Sequence, residues 1–346
     1  MAKIKVAING LGRIGRAFLK TGFEREELSI VAVNDLGDID NLAYLLKYDT
    51  AYGKSKLDIG VRKDGEKKFL RINGKDVAFV QQKEPSLLPW NELDVDVVVE
   101  STGFFESFEK AHGHLDAGAK RVVISAPAKE GGDVTGVTVL MGINEGDLEK
   151  SQLSSNASCT TNASSPLIQI LHEVIGVEKA LLNTVHGYTA TQKLVDSPDA
   201  KDWRRGRAGA QNIVPSTTGA AIAIAKVITD LAGKFDGIAM RVPVLTGSVA
   251  DITFVAKRDT SVQEVNDILR KAAQDDRWKK VFTVTDEQIV SSDIVGSPYA
   301  AIADLSFTKV VGGNLVKVLS WYDNEMGYTH ALVEHVIKAG ELVNSK

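Results

Sequence analysis

The chain has 346 residues, a formal net charge of -4 at pH 7, 44% hydrophobic and 25% charged residues, and a single cysteine, Cys159. Domains run to about 150 residues, so this length calls for two; one thiol excludes an internal disulfide framework and a thiolate-rich metal cluster, and no metal site is expected. The acidic balance excludes a general nucleic-acid binder, and the absence of a run of about 18 apolar residues or of a signal-peptide core leads to the expectation of a cytoplasmic protein with no membrane partner.

Residues 3–9, K-I-K-V-A-I-N, read as a buried strand, L-G-R-I-G-R-A-F-L-K as the helix after it and S-I-V-A-V-N-D as a second strand. Short β-branched runs at 94–100, 120–125 and 137–141 continue the alternation, the pattern of a parallel sheet covered by helices. The 50–80 stretch, with pieces such as K-F-L-R-I-N-G-K, reads as hairpin strands near an edge.

Beyond residue 158 the texture changes. Residues 248–257 and 314–322 alternate apolar and polar side chains, as in an antiparallel sheet with one covered face. Helices are expected over 166–175, 218–231, 262–273 and 330–343. The expected organisation is an α/β domain over 1–158 and a second domain over 159–324, with a terminal helix in 325–346 returning to the first domain.

Gly10-Leu11-Gly12-Arg13-Ile14-Gly15 fits G-x-G-x-x-G between a predicted strand and helix, and Asp35 ends the next strand 20 residues after Gly15. Gly10 permits the tight turn, Gly12 lets a pyrophosphate approach the backbone, and Gly15 allows close helix–strand packing. The helix N-terminus adds free N–H groups and the positive end of its dipole. A carboxylate at Asp35 accepts both ribose hydroxyls and repels a 2′-phosphate, which favours NAD over NADP.

The lone thiol lies in S-N-A-S-C-T-T-N, a polar segment leading into a helix that carries Pro166. A sulfur at such a helix N-terminus is expected to have a lowered pKa and to act as a nucleophile; a buried structural cysteine is the alternative. His186 follows the strand-like A-L-L-N-T-V in an otherwise uncharged segment and is a candidate general base, paired with the thiolate as an imidazolium. His112 and His114 form H-x-H without further ligands and read as solvated helix histidines.

The chain resembles phosphorylating glyceraldehyde-3-phosphate dehydrogenases over its whole length. The likeness rests on I-N-G-L-G-R-I-G-R, V-N-D, L-L-K-Y-D-T, E-S-T-G, I-S-A-P-A, S-N-A-S-C-T-T-N, T-V-H-G-Y-T-A-T-Q, P-S-T-T-G-A-A, M-R-V-P and S-W-Y-D-N-E-M-G-Y, in that order. It implies an α/β chain with a Rossmann dinucleotide-binding domain and an α+β catalytic domain whose sheet is mostly antiparallel. The implied reaction is oxidation of glyceraldehyde 3-phosphate with NAD and inorganic phosphate, in a homotetramer.

Carried over by position, the resemblance makes Cys159 the nucleophile and His186 the base. Arg13 and Ile14 match the pyrophosphate loop, and Lys83 a position whose main chain lies near adenine. Ser125 and Asn324 match nicotinamide-side contacts, and Tyr328 an aromatic residue that fixes the ring. Thr189, Thr191 and Arg241 match the site for the substrate's phosphate; Ser158, Thr160, Thr218 and Gly219 match the site for attacking phosphate. Arg205 matches a supporting arginine of a loop, 203–211, that reaches toward a neighbouring subunit's cofactor, and Arg204 and Arg207 are expected to be solvated or paired across a subunit interface.

Two departures from the family pattern stand out. Ala163 replaces a frequent second cysteine, and V-L-T-G-S-V follows M-R-V-P where T-P-N-V-S-V is frequent. An erythrose-4-phosphate dehydrogenase is the nearest alternative. A cysteine hydrolase is a more distant one, with no need of the glycine turn and Asp35.

Overall fold

The computed structural model describes residues 2–129 and 133–344. The chain divides into two compact units, one running up to Ala157 and resuming at Leu332, the other spanning Ser158–Ala331.

The first unit carries β1 (Ile4–Asn9), α1 (Arg13–Phe23), β2 (Leu28–Asn34), α2 (Ile39–Lys47), the short pair β3 (Tyr48–Asp49) and β4 (Gly53–Lys54), β5 (Ile59–Asp64), β6 (Lys67–Ile72) and β7 (Lys75–Val80). There follow β8 (Val97–Glu100), α3 (Phe108–Ala111), α4 (Gly113–Asp116), β9 (Arg121–Ile124), β10 (Val137–Thr138) and β11 (Leu153–Ser155). Among the described residues one sheet runs in the order β10-β11-β9-β8-β1-β2-β7-β6-β5. Its pairs from β10 to β7 are parallel, and β7-β6-β5 form an antiparallel edge.

β1 and β8 are central and covered on both faces, so Val6, Ala7, Ile8, Val97, Val98 and Val99 are fully buried. Each large apolar side chain buried in this way contributes roughly 1.5–3 kcal/mol. The edge strands β5 and β6 have a mixed pattern of exposed and buried positions, which is why that region reads as hairpins in the sequence.

Three expectations need adjustment in this unit. The strand expected over 94–100 begins only at Val97, because Asp94 takes a left-handed conformation (φ 48°) and the Asp96 carboxylate accepts the Lys5 N–H at 2.8 Å. The strand expected over 137–141 is confined to Val137–Thr138. His112 is half exposed beside Asp116, but His114 is not solvated: it is fully buried, with Trp90 Nε1 3.0 Å from Nδ1 and Glu100 Oε2 3.0 Å from Nε2. The spacing H-x-H puts the two rings on different faces of the short helical segment, and polar partners inside offset the cost of burying the second.

The second unit carries α5 (Cys159–Ile175), β12 (Val177–Gly187), β13 (Val214–Thr217), α6 (Ala220–Val227), β14 (Phe235–Val242), β15 (Ser248–Ala256), α7 (Val262–Ala273), β16 (Phe282–Thr285), β17 (Ala301–Val311) and β18 (Leu315–Tyr322). Its sheet runs β13-β14-β12-β15-β18-β17-β16. The β12–β14 and β16–β17 pairs are parallel and the others antiparallel. Alternation is clean along β15, where Ala250, Ile252 and Phe254 are buried while the residues between them are half exposed.

Ser261 caps α7 by accepting the Glu264 N–H, which fixes the helix start where the sequence places it. The helix expected over 218–231 is shorter: α6 ends at Val227 and a single 3-10 turn, Thr229–Leu231, follows, in a stretch where β-branched Val227, Ile228 and Thr229 disfavour helix. The last helix, α8 (Met326–Asn344), belongs to the first unit from Leu332 on. There Glu334 pairs with Arg25 at 2.6 Å, and Gly340 lies so close to Ile4 that a Cβ on it would stand 2.5 Å from that side chain.

Candidate active site

In the first unit the chain turns sharply between β1 and α1. Gly10 has φ 96°, and a Cβ on it would sit 2.8 Å from the Thr102 backbone nitrogen; a Cβ on Gly15 would stand 1.9 Å from the Gly10 carbonyl oxygen. Only glycine fits either position. Gly12, the N-cap of α1, makes no side-chain cap bond, and a Cβ there would meet nothing within 4 Å. The helix start therefore presents bare backbone, open to an anion.

Asp35 ties this turn to the end of β2. Its Oδ2 accepts the Leu11 N–H at 2.7 Å and its Oδ1 the Gly37 N–H at 2.8 Å, so the carboxylate is held at the rim with lone pairs left for hydroxyl donors. A cleft of about 840 Å³ opens here, with Asn9, Gly10, Gly12, Asn34, Asp35 and Lys83 in its lining. An anion-receptive helix start beside a fixed carboxylate fits the pyrophosphate and ribose of NAD. Arg13 turns its guanidinium to Asp49 at 2.6 Å, and Ile14 lies half-buried in the first turn of α1. Ser125 follows β9, with its N–H on the Glu100 carbonyl at 2.9 Å.

In the second unit Ser158 is the N-cap of α5. Its Oγ accepts the Thr161 N–H at 3.1 Å, and Cys159 is the first helical residue. The Cys159 sulfur lies 3.3 Å from His186 Nε2, at the end of β12. His186 Nδ1 stands 2.6 Å from the Gly187 carbonyl oxygen, which can only accept. With the hydrogen on Nδ1 this contact is a hydrogen bond, and Nε2 offers its lone pair to the thiol.

Arg241 pairs with His186 in the β12–β14 register, and its guanidinium lies 2.9 Å from Nδ1 and 3.3 Å from the Gly187 oxygen. In that tautomer the carbonyl is the acceptor open to Arg241; in the other, Nδ1 accepts from the guanidinium. Burial pushes the Cys159 thiol up, against the pull of the Arg241 charge and the hydrogen bonds at the helix start. Burial, reinforced by Arg241, pushes His186 down to about 3. The lowering expected from the helix N-terminus is present but outweighed. Moving the proton from sulfur to Nε2 creates both charges inside one hydrogen bond, so each offsets the burial of the other.

Three neighbours carry no local sequence signal of their place in the site. Tyr322, ending β18 and 1% exposed, places its hydroxyl 2.9 Å from Thr160 Oγ1 and 2.7 Å from Thr184 Oγ1, with its ring edge-on to His186. Asp323, fully buried, accepts the Thr246 hydroxyl and the Met326 N–H on one oxygen and the Gly296 N–H on the other. Ser248 donates to Asn324 Oδ1 at 3.1 Å, and the Gly247 N–H reaches the same oxygen at 3.0 Å. The Asn324 carbonyl end is thereby fixed, and its NH2 is the end left to donate to a ligand. All three belong to familiar runs, W-Y-D-N-E and G-S-V, yet their contacts depend on strand pairing that spacing does not reveal.

The remaining candidates group as follows. Thr189 and Thr191 hold their hydroxyls 3.0 Å apart just beyond β12. Thr218 accepts the Ala220 N–H at 3.2 Å beside Gly219, the uncapped N-cap residue of α6. Arg205 places two nitrogens on Ser216 Oγ, at 3.2 and 2.8 Å. The Thr160 hydroxyl is turned to Tyr322, as described. Arg204 and Arg207 pair within their own loop, with Asp202 and Asp196. Tyr328 is buried in the first turn of α8. Among the described residues, no group of three His, Cys, Asp or Glu has a metal-binding arrangement and no helix is long and apolar enough to cross a membrane.

Residues 4–108 match the family model for the glyceraldehyde 3-phosphate dehydrogenase NAD binding domain, and residues 158–324 that for the C-terminal domain. Over 334 residues the chain is 47% identical to a glyceraldehyde-3-phosphate dehydrogenase of Clostridium pasteurianum, covering 95% of this chain and 96% of that one. Similar likenesses, 45% over 340 residues and 44% over 333, extend to the enzymes of Streptomyces coelicolor (97% of this chain, 98% of that one) and Geobacillus stearothermophilus (96% of each). The chain belongs to the glyceraldehyde-3-phosphate dehydrogenase family.

Proposed function

We propose that the protein is an NAD-dependent dehydrogenase that oxidises glyceraldehyde 3-phosphate to an acyl phosphate, with Cys159 as nucleophile and His186 as base. One observation carries this reading: the thiol lies 3.3 Å from an imidazole nitrogen, at a helix start, in a chain that also holds an open glycine turn with a fixed carboxylate.

As the aldehyde carbon approaches, the Cys159 proton passes to Nε2 and the sulfur forms the C–S bond. The carbonyl π pair moves to oxygen, where backbone N–H groups at the start of α5 stabilise it and His186 returns the proton to it, giving a thiohemiacetal. His186 then holds the hydroxyl proton as the carbon is oxidised to a thioester. NAD, when bound, supplies the hydride acceptor for that oxidation; Gly10, Gly12, Arg13, Ile14, Asp35 and Lys83 would hold its adenylate half, with Ser125, Asn324 and Tyr328 serving the nicotinamide end. A phosphate oxygen finally attacks the thioester carbonyl, and the C–S bond pair returns to sulfur, which recovers its proton from His186.

Thr189, Thr191 and Arg241 are assigned to the substrate's phosphate, and Ser158, Thr160, Thr218 and Gly219, with Arg205 in support, to the attacking one. Hydroxyls, a helix start and a guanidinium are suitable donors for oxyanions. The assembly is read as a homotetramer. The outward face of the second sheet supports self-association, because Leu181, Ile238 and Leu315 are all exposed on neighbouring or near-neighbouring strands. A cytoplasmic setting suits a nucleophilic cysteine that must stay reduced.

The test is the Cys159→Ser chain assayed for NADH formation with glyceraldehyde 3-phosphate, with and without phosphate. Loss of activity is expected, and undiminished turnover would overturn the thioester route. A parent chain faster on erythrose 4-phosphate without phosphate would reverse the choice of substrate.

A further inference from the structure

A chain of buried hydrogen bonds runs beneath the cofactor cleft, through residues that the proposed mechanism does not use. The Trp90 indole N–H, which can only donate, lies 3.0 Å from His114 Nδ1. Nδ1 must accept, so the hydrogen sits on Nε2, which faces Glu100 Oε2 at 3.0 Å. The same oxygen takes the Asn9 amide at 2.6 Å, while Glu100 Oε1 takes the Thr102 backbone N–H at 2.8 Å and the Thr102 hydroxyl at 2.5 Å. Asn9 passes the chain on: its Oδ1 accepts from Asn34, which also bonds the Gln82 backbone in both directions.

The two ends of this network differ. Trp90, His114 and Glu100 are at most 2% exposed and do not line the cleft, whereas Asn9, Asn34, Gln82 and Thr102 do. Thr102 is also the residue whose backbone lies against Gly10 in the pyrophosphate turn. Glu100 thus joins the ends of β1 and β8 to the turn, and His114 holds Glu100 from behind with the indole fixing which nitrogen carries the hydrogen.

We propose that His114 and Glu100 are positioning residues for the adenosine-diphosphate half of the dinucleotide: they fix Asn9 and Thr102 in the geometry that binds it, without touching it. A carboxylate with four donors has no freedom to turn, and a ligand-facing Asn and Thr held by it lose no conformational entropy on binding. His114→Leu removes the donor to Glu100 and strands the indole N–H, leaving both polar groups buried and short of partners. His114→Gln can accept from Trp90 through its oxygen and donate to Glu100 through its nitrogen, and restores the relay.

The inference rests on the dinucleotide reading of this cleft, and the experiment separates the two. Titration of the full-length parent chain with ADP-ribose should show binding; absence of binding would sink the reading itself. With binding established, His114→Leu should weaken ADP-ribose and NAD roughly five- to a hundredfold, the usual consequence of a buried polar group left unpaired. His114→Gln should stay within about threefold of the parent, in line with a replaced hydrogen bond. Alkylation of Cys159 by iodoacetamide should proceed at the parent rate in both variants.

Leu binding as well as the parent, or Gln binding as poorly as Leu, overturns the proposal. Should the Leu variant not fold, the 15N shifts of His114 in the unmodified chain decide the matter. They should report a neutral Nε2–H ring that responds to saturating ADP-ribose, and an Nδ1–H ring or shifts indifferent to ADP-ribose refute the relay.

Discussion

Thr160 and Thr184 are tied together through the Tyr322 hydroxyl, 2.9 Å from the first and 2.7 Å from the second. Thr160 follows the sulfur on α5 and Thr184 precedes His186 by two residues on β12, so one buried phenol links the two elements that carry the reacting pair. Burial raises the Tyr322 pKa well above its ordinary value, which keeps the hydroxyl a neutral donor and acceptor. Tyr322→Phe removes both bonds and leaves two threonine hydroxyls behind. The expected loss is about 1–3 kcal/mol in denaturant unfolding, with kcat falling severalfold and the NAD dissociation constant unchanged. A kcat equal to the parent's would show that the phenol has no part in aligning sulfur and imidazole.

His186 should matter through chemistry more than through stability. His186→Asn retains a polar side chain beside Gly187 but cannot take the thiol proton, and the rate should fall by roughly two to four powers of ten, the usual worth of positioned acid–base catalysis. Rapid-quench measurement of the first turnover checks this, because a loss confined to later turnovers would place the effect in phosphorolysis or product release.

Much of this was legible in the sequence where a local rule controls the outcome. The glycine turn and Asp35 depend on a strand, a tight turn and a helix start that are contiguous in the chain, and Ser158 caps α5 through an N–H three residues on. What resisted reading depends on partners far away in sequence. His114 looks like any helix-surface histidine until Trp90, 24 residues earlier, and Glu100, 14 earlier, enclose it. Tyr322 meets Thr160 across 162 residues. The acidity of the thiol divides in the same way: the helix start is local and favours the thiolate, whereas the desolvation that opposes it comes from tertiary packing.

Asp35 should control both affinity and choice of cofactor. Its two oxygens already accept the Leu11 and Gly37 N–H groups, so the amide of Asp35→Asn loses one of these bonds as well as the negative charge. A hydrogen bond to a charged group contributes about 1.5–3 kcal/mol, so NAD binding should weaken roughly 10- to 150-fold. Binding of NADP should weaken less, because the variant no longer repels the 2′-phosphate. Fluorescence titration with both dinucleotides gives the ratio, and an unchanged ratio would remove Asp35 from the ribose site.

Acid sensitivity of the fold should trace in part to His335 on α8. The ring is fully buried, with Nε2 2.9 Å from Ser154 Oγ and Nδ1 3.1 Å from Asn156 Oδ1, and burial together with the Arg121 charge pushes its pKa down to about 3. The unfolded chain has an ordinary histidine, near 6.5. Between those two values the unfolded state binds the proton and the folded state does not, so folding stability is fully present above about pH 6.5 and is lost as the pH falls toward 3. One such group gives a slope of at most about 1.4 kcal/mol per pH unit. His335→Gln keeps a donor and an acceptor near Ser154 and Asn156 but cannot titrate. Urea unfolding at intervals from pH 7 to pH 4 should therefore show a shallower decline for the variant than for the parent, even if the variant is the less stable of the two at pH 7. Parallel declines would mean that His335 accepts its proton in the folded chain at its ordinary pKa.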